Sequence, residues 1–167
     1  MRTLVIEGDI AMVEADALIT AINSSGMWFG GIDRVISRSA GNQFHAQAAN
    51  ALEADPATKV VVAPMLTDHN GCYEDVVFTI DDLNEDLKVV VRRALDAAAE
   101  AGYEDVSMPA IRFGVMRSIG GTPEEKVQAI ADALREHEAE APTPLKSVTI
   151  VVYGDPSLAT MLRKALT

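Results

Sequence analysis

The hydrophobic residues of this chain switch period repeatedly along its length, and the switches alternate. Short apolar, β-branched runs that suit a buried strand give way to stretches with apolar residues three and four apart, the spacing of one helix face. Residues 3–6 and 17–22 read as strands, the second closed by Asn23-Ser24-Ser25-Gly26. Residues 32–40 carry Ile32, Val35, Ile36 and Ser39 at helical spacing with Gly41 as a stop, and a second helix runs over about 43–54 to Asp55-Pro56. Strands follow over 59–63 and 75–80, joined by a turn-rich connection at 67–71. The longest helix is expected over about 83–101, where Leu83, Leu87, Val90, Val91, Ala94, Leu95 and Ala98 form one stripe. A strand over 105–111 comes next. Thr122-Pro123-Glu124-Glu125 then announces a helix, with an N-cap, a proline at the first helical position and acids in the first turn. A last strand over 146–153 precedes a terminal helix from Asp155-Pro156 to about 166.

Strands alternating with helices, several of those strands nearly all apolar, predict an α/β sheet covered on both faces. No helix separates 3–6 from 17–22, which predicts a mixed sheet. The chain has 167 residues, no visible linker and no internal repeat, so 1–167 is expected to form a single domain.

Charge narrows the function. Twenty-five acids against 14 bases leave a net charge of -11, which argues against a general nucleic-acid-binding role, since that needs a basic face. A small anion remains open to such a chain, because backbone N–H groups and helix N-termini hold phosphate without lysine or arginine. No apolar run approaches the ~20 residues that cross a bilayer. Glu7 interrupts the first apolar run too early for a signal peptide, so a soluble cytoplasmic protein without a membrane partner is expected.

Ligands of α/β sheets gather at the carboxyl ends of strands, and three strand ends here carry suggestive loops. The first is 23–33, Asn-Ser-Ser-Gly-Met-Trp-Phe-Gly-Gly-Ile-Asp, in which glycines precede a helix and let backbone approach an anion. The second is 109–117, Pro-Ala-Ile-Arg-Phe-Gly-Val-Met-Arg, running on to Gly120-Gly121; the third is Gly8-Asp9-Ile10. Taken singly, the first reads equally as a turn before a helix, and the other two read more readily as a surface connection and a turn. The chain has no GxGxxG fingerprint, no GxxxxGK[ST] loop and no Gly-x-Ser-x-Gly elbow. His45, His69 and His137 are scattered and Cys72 is the only cysteine, so neither a metal site nor a disulfide is expected.

In order and in register, these pieces resemble the macro domain family, an ADP-ribose-binding α/β/α module, over nearly the whole chain. Gly8-Asp9-Ile10 follows the first strand, and Asp16-Ala17-Leu18-Ile19-Thr20-Ala21-Ile22-Asn23 is similar to the family strand Asp-Ala-Ile-Val-Asn-Ala-Ala-Asn. Gly30-Gly31-Ile32-Asp33 and Ala40-Gly41 fall at family spacing, as do Pro109-Ala110-Ile111, Gly114-Val115 and Val152-Tyr153. The resemblance implies a three-layer α/β/α sandwich with a central mixed sheet, binding ADP-ribose or a related nucleotide diphosphate, free or as an adduct, with no cofactor. It places Asp9 and Ile10 at the adenine and Tyr153 on its face. It sets the backbones of Gly30, Gly31 and Ile32 and of Gly114, Val115 and Met116 around the diphosphate, with Ala21 and Ile22 also against the ligand. Asn23 and Asp33 match the pair that, in hydrolytic branches, positions the distal ribose and a water.

The chain departs from the pattern on the phosphate side. Thr20 replaces an asparagine, Trp28-Phe29 replace two loop glycines, Ser37 stands where a histidine is frequent, Arg112-Phe113 replace a Ser/Thr pair, and Met116-Arg117 replace a hydrophobic residue's usual aromatic-Gly follower. Arg112 or Arg117 is then a candidate phosphate ligand, with a side chain that points to solvent as the alternative for either. The resemblance leaves three readings. One is a binding module. The second is a metal-independent ADP-ribosyl or O-acetyl-ADP-ribose hydrolase using Asn23 and Asp33. The third is a degenerate fold, its cleft filled by Trp28-Phe29 and its surface binding another protein.

Overall fold

The computed structural model describes residues 1–26, 31–140 and 142–167, with the backbone alone for Val115. Among these residues the strands β1 (Arg2–Glu7), β2 (Ala15–Ile22), β3 (Val60–Ala63), β4 (Tyr73–Ile80), β5 (Asp105–Pro109) and β6 (Ser147–Val152) form one sheet in the order β1-β6-β5-β2-β4-β3. Every neighbouring pair is parallel except β3 with β4. The sheet is therefore mixed, but not for the reason the sequence suggested. β1 and β2 are separated in the sheet by β6 and β5 and run the same way; residues 8–14 join them along one face, burying Ile10 and Ala11 in a 3-10 turn.

The two core layers follow from the period of two in a strand. Along β2, Ala17, Ile19 and Ala21 point to the side covered by α3 (Leu87–Glu100), α4 (Pro123–Ala139) and α5 (Pro156–Ala165). Leu18 and Ile22 point to the other side, where α1 (Gly31–Ala40) and α2 (Gln43–Ala54) contribute Ile36, Phe44, Ala48 and Leu52. A central strand buried on both faces needs an apolar residue at nearly every position, which is why 17–22 shows no polar alternation. This is the three-layer α/β/α sandwich.

Helix α4 begins as its sequence announces: the Thr122 hydroxyl accepts from the Glu125 N–H at 3.1 Å, and Pro123 occupies the first turn. Thr122→Ala is expected to cost about 1 kcal/mol. It should lower the melting temperature by about 2–4 °C. An unchanged melting curve would show that water satisfies that N–H equally well.

The expected helix over 83–101 is corrected in both start and rank. α3 begins at Leu87 and has 14 residues, whereas α4 has 17. Leu83 has φ +62°, outside the helical region, and its N–H donates to the Asp81 carboxylate at 3.0 Å. The apolar stripe continues into 83, but Asp81 turns that segment into a loop. β5 likewise ends at Pro109, two residues earlier than expected.

Candidate functional site

β2 and β5 are paired only at Ala17 with Val106 and Leu18 with Ser107. Beyond those pairs no ladder joins them, and the chain leaves β2 for α1 on one face but leaves β5 for α4 on the other. A crevice at such a switch point, at the carboxyl ends of parallel strands, is where α/β sheets accept ligands. A cleft of about 650 Å³ opens there, within the range of small-molecule sites. Among the described residues it takes its walls from the end of β2, from the segments after β1, β4, β5 and β6, and from α1.

Several residues singled out by sequence meet in this cleft: Asp9, Ile10, Ala21, Gly31, Ile32, Asp33, Gly114, Met116 and Tyr153 all line it. The Asp9 carboxylate caps the 3-10 turn, accepting from Ala11 N–H at 3.0 Å, which fixes it while leaving it exposed. Tyr153 is 86% exposed, with no ring partner or hydrogen bond among the described residues. A Cβ built on Gly31 would meet no heavy atom of the described residues within 4 Å, so among them that position opens onto free space in the cleft wall. Gly114 sits at φ +70°, a conformation that favours glycine.

Others do not meet there. Ile22 is 1% exposed and packs in the core beside α1 and α2. Asn23 does not line the cleft. Its carboxamide oxygen accepts from Ser25 N–H at 3.1 Å and Ser25 hydroxyl at 2.9 Å, closing an Asx turn after β2. Trp28, Phe29 and Gly30 lie outside the described residues, as does the Val115 side chain.

Asp33 has a partner that sequence reasoning passed over. Its carboxylate lies 2.8 Å from His45 Nε2, and both side chains are buried. Asp33 reaches this position from the first turn of α1 and His45 from the first turn of α2. A signal existed: His45 sits beside Phe44 on the helix that buries Ala48 and Leu52, and a buried polar ring needs a polar partner.

Of the two candidate phosphate ligands of the second loop, Arg112 is committed elsewhere and Arg117 stays exposed on the rim. Arg112 grips Asp81 through two bonds of 2.8 and 2.9 Å and donates a third, of 2.7 Å, to the Glu85 carbonyl, with Arg112 and Asp81 both buried. Arg112 itself stands at φ +66°, a strained backbone for any residue with a side chain, held by those three bonds. Arg117 pairs with Asp155 at 2.9 Å on the cleft rim. Beneath the loop, the buried Lys126 ammonium donates to the carbonyls of Arg112, Met116 and Arg117 at 2.9, 3.2 and 2.9 Å. Burial, then the nearby charges of Arg112 and Arg117, push its pKa below the ordinary lysine value.

The family model described as Macro domain matches residues 19–131. An O-acetyl-ADP-ribose deacetylase 1 of Pantoea vagans is 30% identical over 161 residues, which cover 91% of this chain and 91% of that one. Among solved structures, the Trypanosoma brucei macrodomain in complex with ADP-ribose superposes with a TM-score of 0.77 at 16% identity, covering 99% of this chain and 69% of that one. The Oceanobacillus iheyensis macrodomain with ADP gives 0.70 at 18% identity, over 96% and 88% of the two chains.

Proposed function

The chain belongs to the macro domain family, and from that premise we propose that its cleft binds ADP-ribose or a related nucleotide diphosphate, free or as an ADP-ribosyl adduct. One observation carries the reading. Asp9, Ile10 and Tyr153 stand at one end of a single cleft whose further wall is formed by the open Gly31 position and the Gly114 loop. Tyr153 offers a large aromatic face for the base, and the capped Asp9 carboxylate offers an acceptor for an exocyclic amine. The diphosphate then lies along backbone rather than on Arg112, which is buried against Asp81. On this reading residues 1–167 act as one unit.

Calorimetric titration with ADP-ribose, ADP and AMP tests it. ADP-ribose is expected to bind saturably and more tightly than AMP. Gly31→Glu should abolish binding, since its side chain would place bulk and negative charge in the open space where the diphosphate passes. No heat with wild type at millimolar ligand would overturn the proposal.

The buried Asp33–His45 pair at the cleft favours a second reading, hydrolysis of the bound ligand. A fixed carboxylate beside the distal ribose orients or deprotonates a water for attack on an acyl carbonyl or an anomeric carbon. Asn23 would support this chemistry by shaping the turn that leads toward α1.

A further inference from the structure

Among the described residues, Lys126 carries a buried charge with no counter-ion. Its hydrogen bonds all go to carbonyl oxygens, and no carboxylate pairs with it among the described residues. The Phe113 ring also lies near, its centroid 5.4 Å from the ammonium. The neighbouring cations differ in this respect: Arg112 is neutralised by Asp81 and Arg117 by Asp155. Burying an ammonium without an anion is costly, and a fold that places one there has a use for it or a strong packing reason. Here the three carbonyls belong to the loop that walls the cleft: Arg112, Gly114, Met116 and Arg117 all line it, while Lys126 does not. The ammonium therefore lies one peptide layer behind the surface an anionic ligand would touch.

We infer that Lys126 is the positioning residue of the 112–117 loop and supplies, from behind it, the positive charge that selects a phosphate-bearing ligand. The inference rests on the nucleotide-diphosphate reading of the cleft. Three carbonyls drawn toward one ammonium pin both ends of the loop, at 112 and at 116–117. Gly120 completes the clamp. It stands at φ +86° with the Arg112 side chain 3.3 Å from where a Cβ would sit, so the chain passes closely over that arginine on its way to α4. A preset loop spares the ligand the cost of ordering it. Its charge acts through a low-dielectric layer, where a field is screened less than in water.

The test compares ADP-ribose with adenosine, which shares the base and the first ribose but has no phosphate, on wild type, Lys126→Met and Lys126→Gln. Wild type is expected to prefer ADP-ribose. Both variants should lose about ten- to hundredfold in ADP-ribose affinity while keeping that for adenosine, because only the phosphates feel the charge. Lys126→Gln keeps donors for the loop carbonyls but carries no charge, so a loss there reports the charge itself. A wild type that binds neither ligand overturns the reading of the cleft, and this inference with it. A wild type that binds ADP-ribose while both variants match it overturns the role of Lys126 alone. Equal losses for both ligands do the same, since they describe a residue that only holds the fold.

Should neither variant fold, pH reads the same charge in wild type. The charges facing Lys126 are Arg112 and Arg117, with Asp81 and Asp155 behind them as their partners. A lysine pKa lowered in the free protein means that binding of an anion is fully favoured below that pKa and loses its advantage as pH rises above it. The ratio of ADP-ribose to adenosine affinity should therefore begin to fall before pH reaches the ordinary lysine value of 10.5. A ratio flat up to that pH overturns the inference.

Discussion

Asp81→Ala is expected to lower the unfolding free energy by about 3–5 kcal/mol, the largest stability loss of any single polar substitution around the cleft. For a chain of this size that is a fall of about 10 °C or more in melting temperature. Asp81 is 1% exposed and accepts two bonds from Arg112 and one from the Leu83 N–H. Truncation would leave a guanidinium buried against the Glu85 carbonyl, beside the ammonium of Lys126, in a backbone conformation that Arg112 adopts only under constraint. The sign of the double change separates the pair's own worth from the penalty of breaking it. Arg112→Met together with Asp81→Leu should recover most of the loss, since apolar residues of similar volume commonly replace a buried ion pair at little cost. Thermal melts of the two single variants and the double decide it. A single variant within about 1 kcal/mol of wild type would mean that water enters and solvates the remaining charge.

The same pair explains where sequence reading stopped short. Periodicity located the six strands and five helices of the described residues, because a sheet covered on both faces writes nearly continuous apolar runs and the helices write their stripes. It misjudged α3, since Leu83 continues the stripe and nothing local says that Asp81 is needed as the partner of an arginine 31 residues away. The sheet was expected to be mixed, yet the antiparallel pair proved to be β3–β4. The connection without a helix, taken as the sign of a mixed sheet, in fact passes β6 and β5 along one face and joins two strands that run the same way.

Around the cleft, Asp9, Gly31 and Gly114 were picked out by their strand-end loops together with the family resemblance, and all three line the cleft. Contacts between residues distant in sequence were not legible. His45 belongs with Asp33, and Lys126 belongs with a loop that begins 14 residues before it. The sequence left Arg112 and Arg117 open between a phosphate contact and solvent; it does not reveal that Asp81, at the end of β4, holds Arg112 buried, while Arg117 stays exposed beside Asp155.

Asp33 separates binding from turnover. Asp33→Asn and Asp33→Ala are both expected to hold ADP-ribose within about threefold of wild type, since the backbone of the loops and the adenine end carry the ligand. If the wild type releases acetate from O-acetyl-ADP-ribose, both changes should lower that rate by about 10²–10⁴, the usual worth of a positioned acid or base. Asparagine is the sharper probe. Its carboxamide oxygen can still accept from His45, so the buried ring keeps a partner and the fold is spared, while the group can no longer take a proton. His45→Leu makes the complementary change. It leaves the carboxylate in place but removes the bond at 2.8 Å that sets its direction, so turnover should drop with affinity nearly unchanged. His45→Gln, which can donate to the same oxygen, should recover part of it. A wild type that binds ADP-ribose but releases no acetate leaves the binding module as the standing reading; the Asp33–His45 pair then serves to lock α1 to α2 behind the cleft, and His45→Leu would show itself in the melting temperature rather than in the assay.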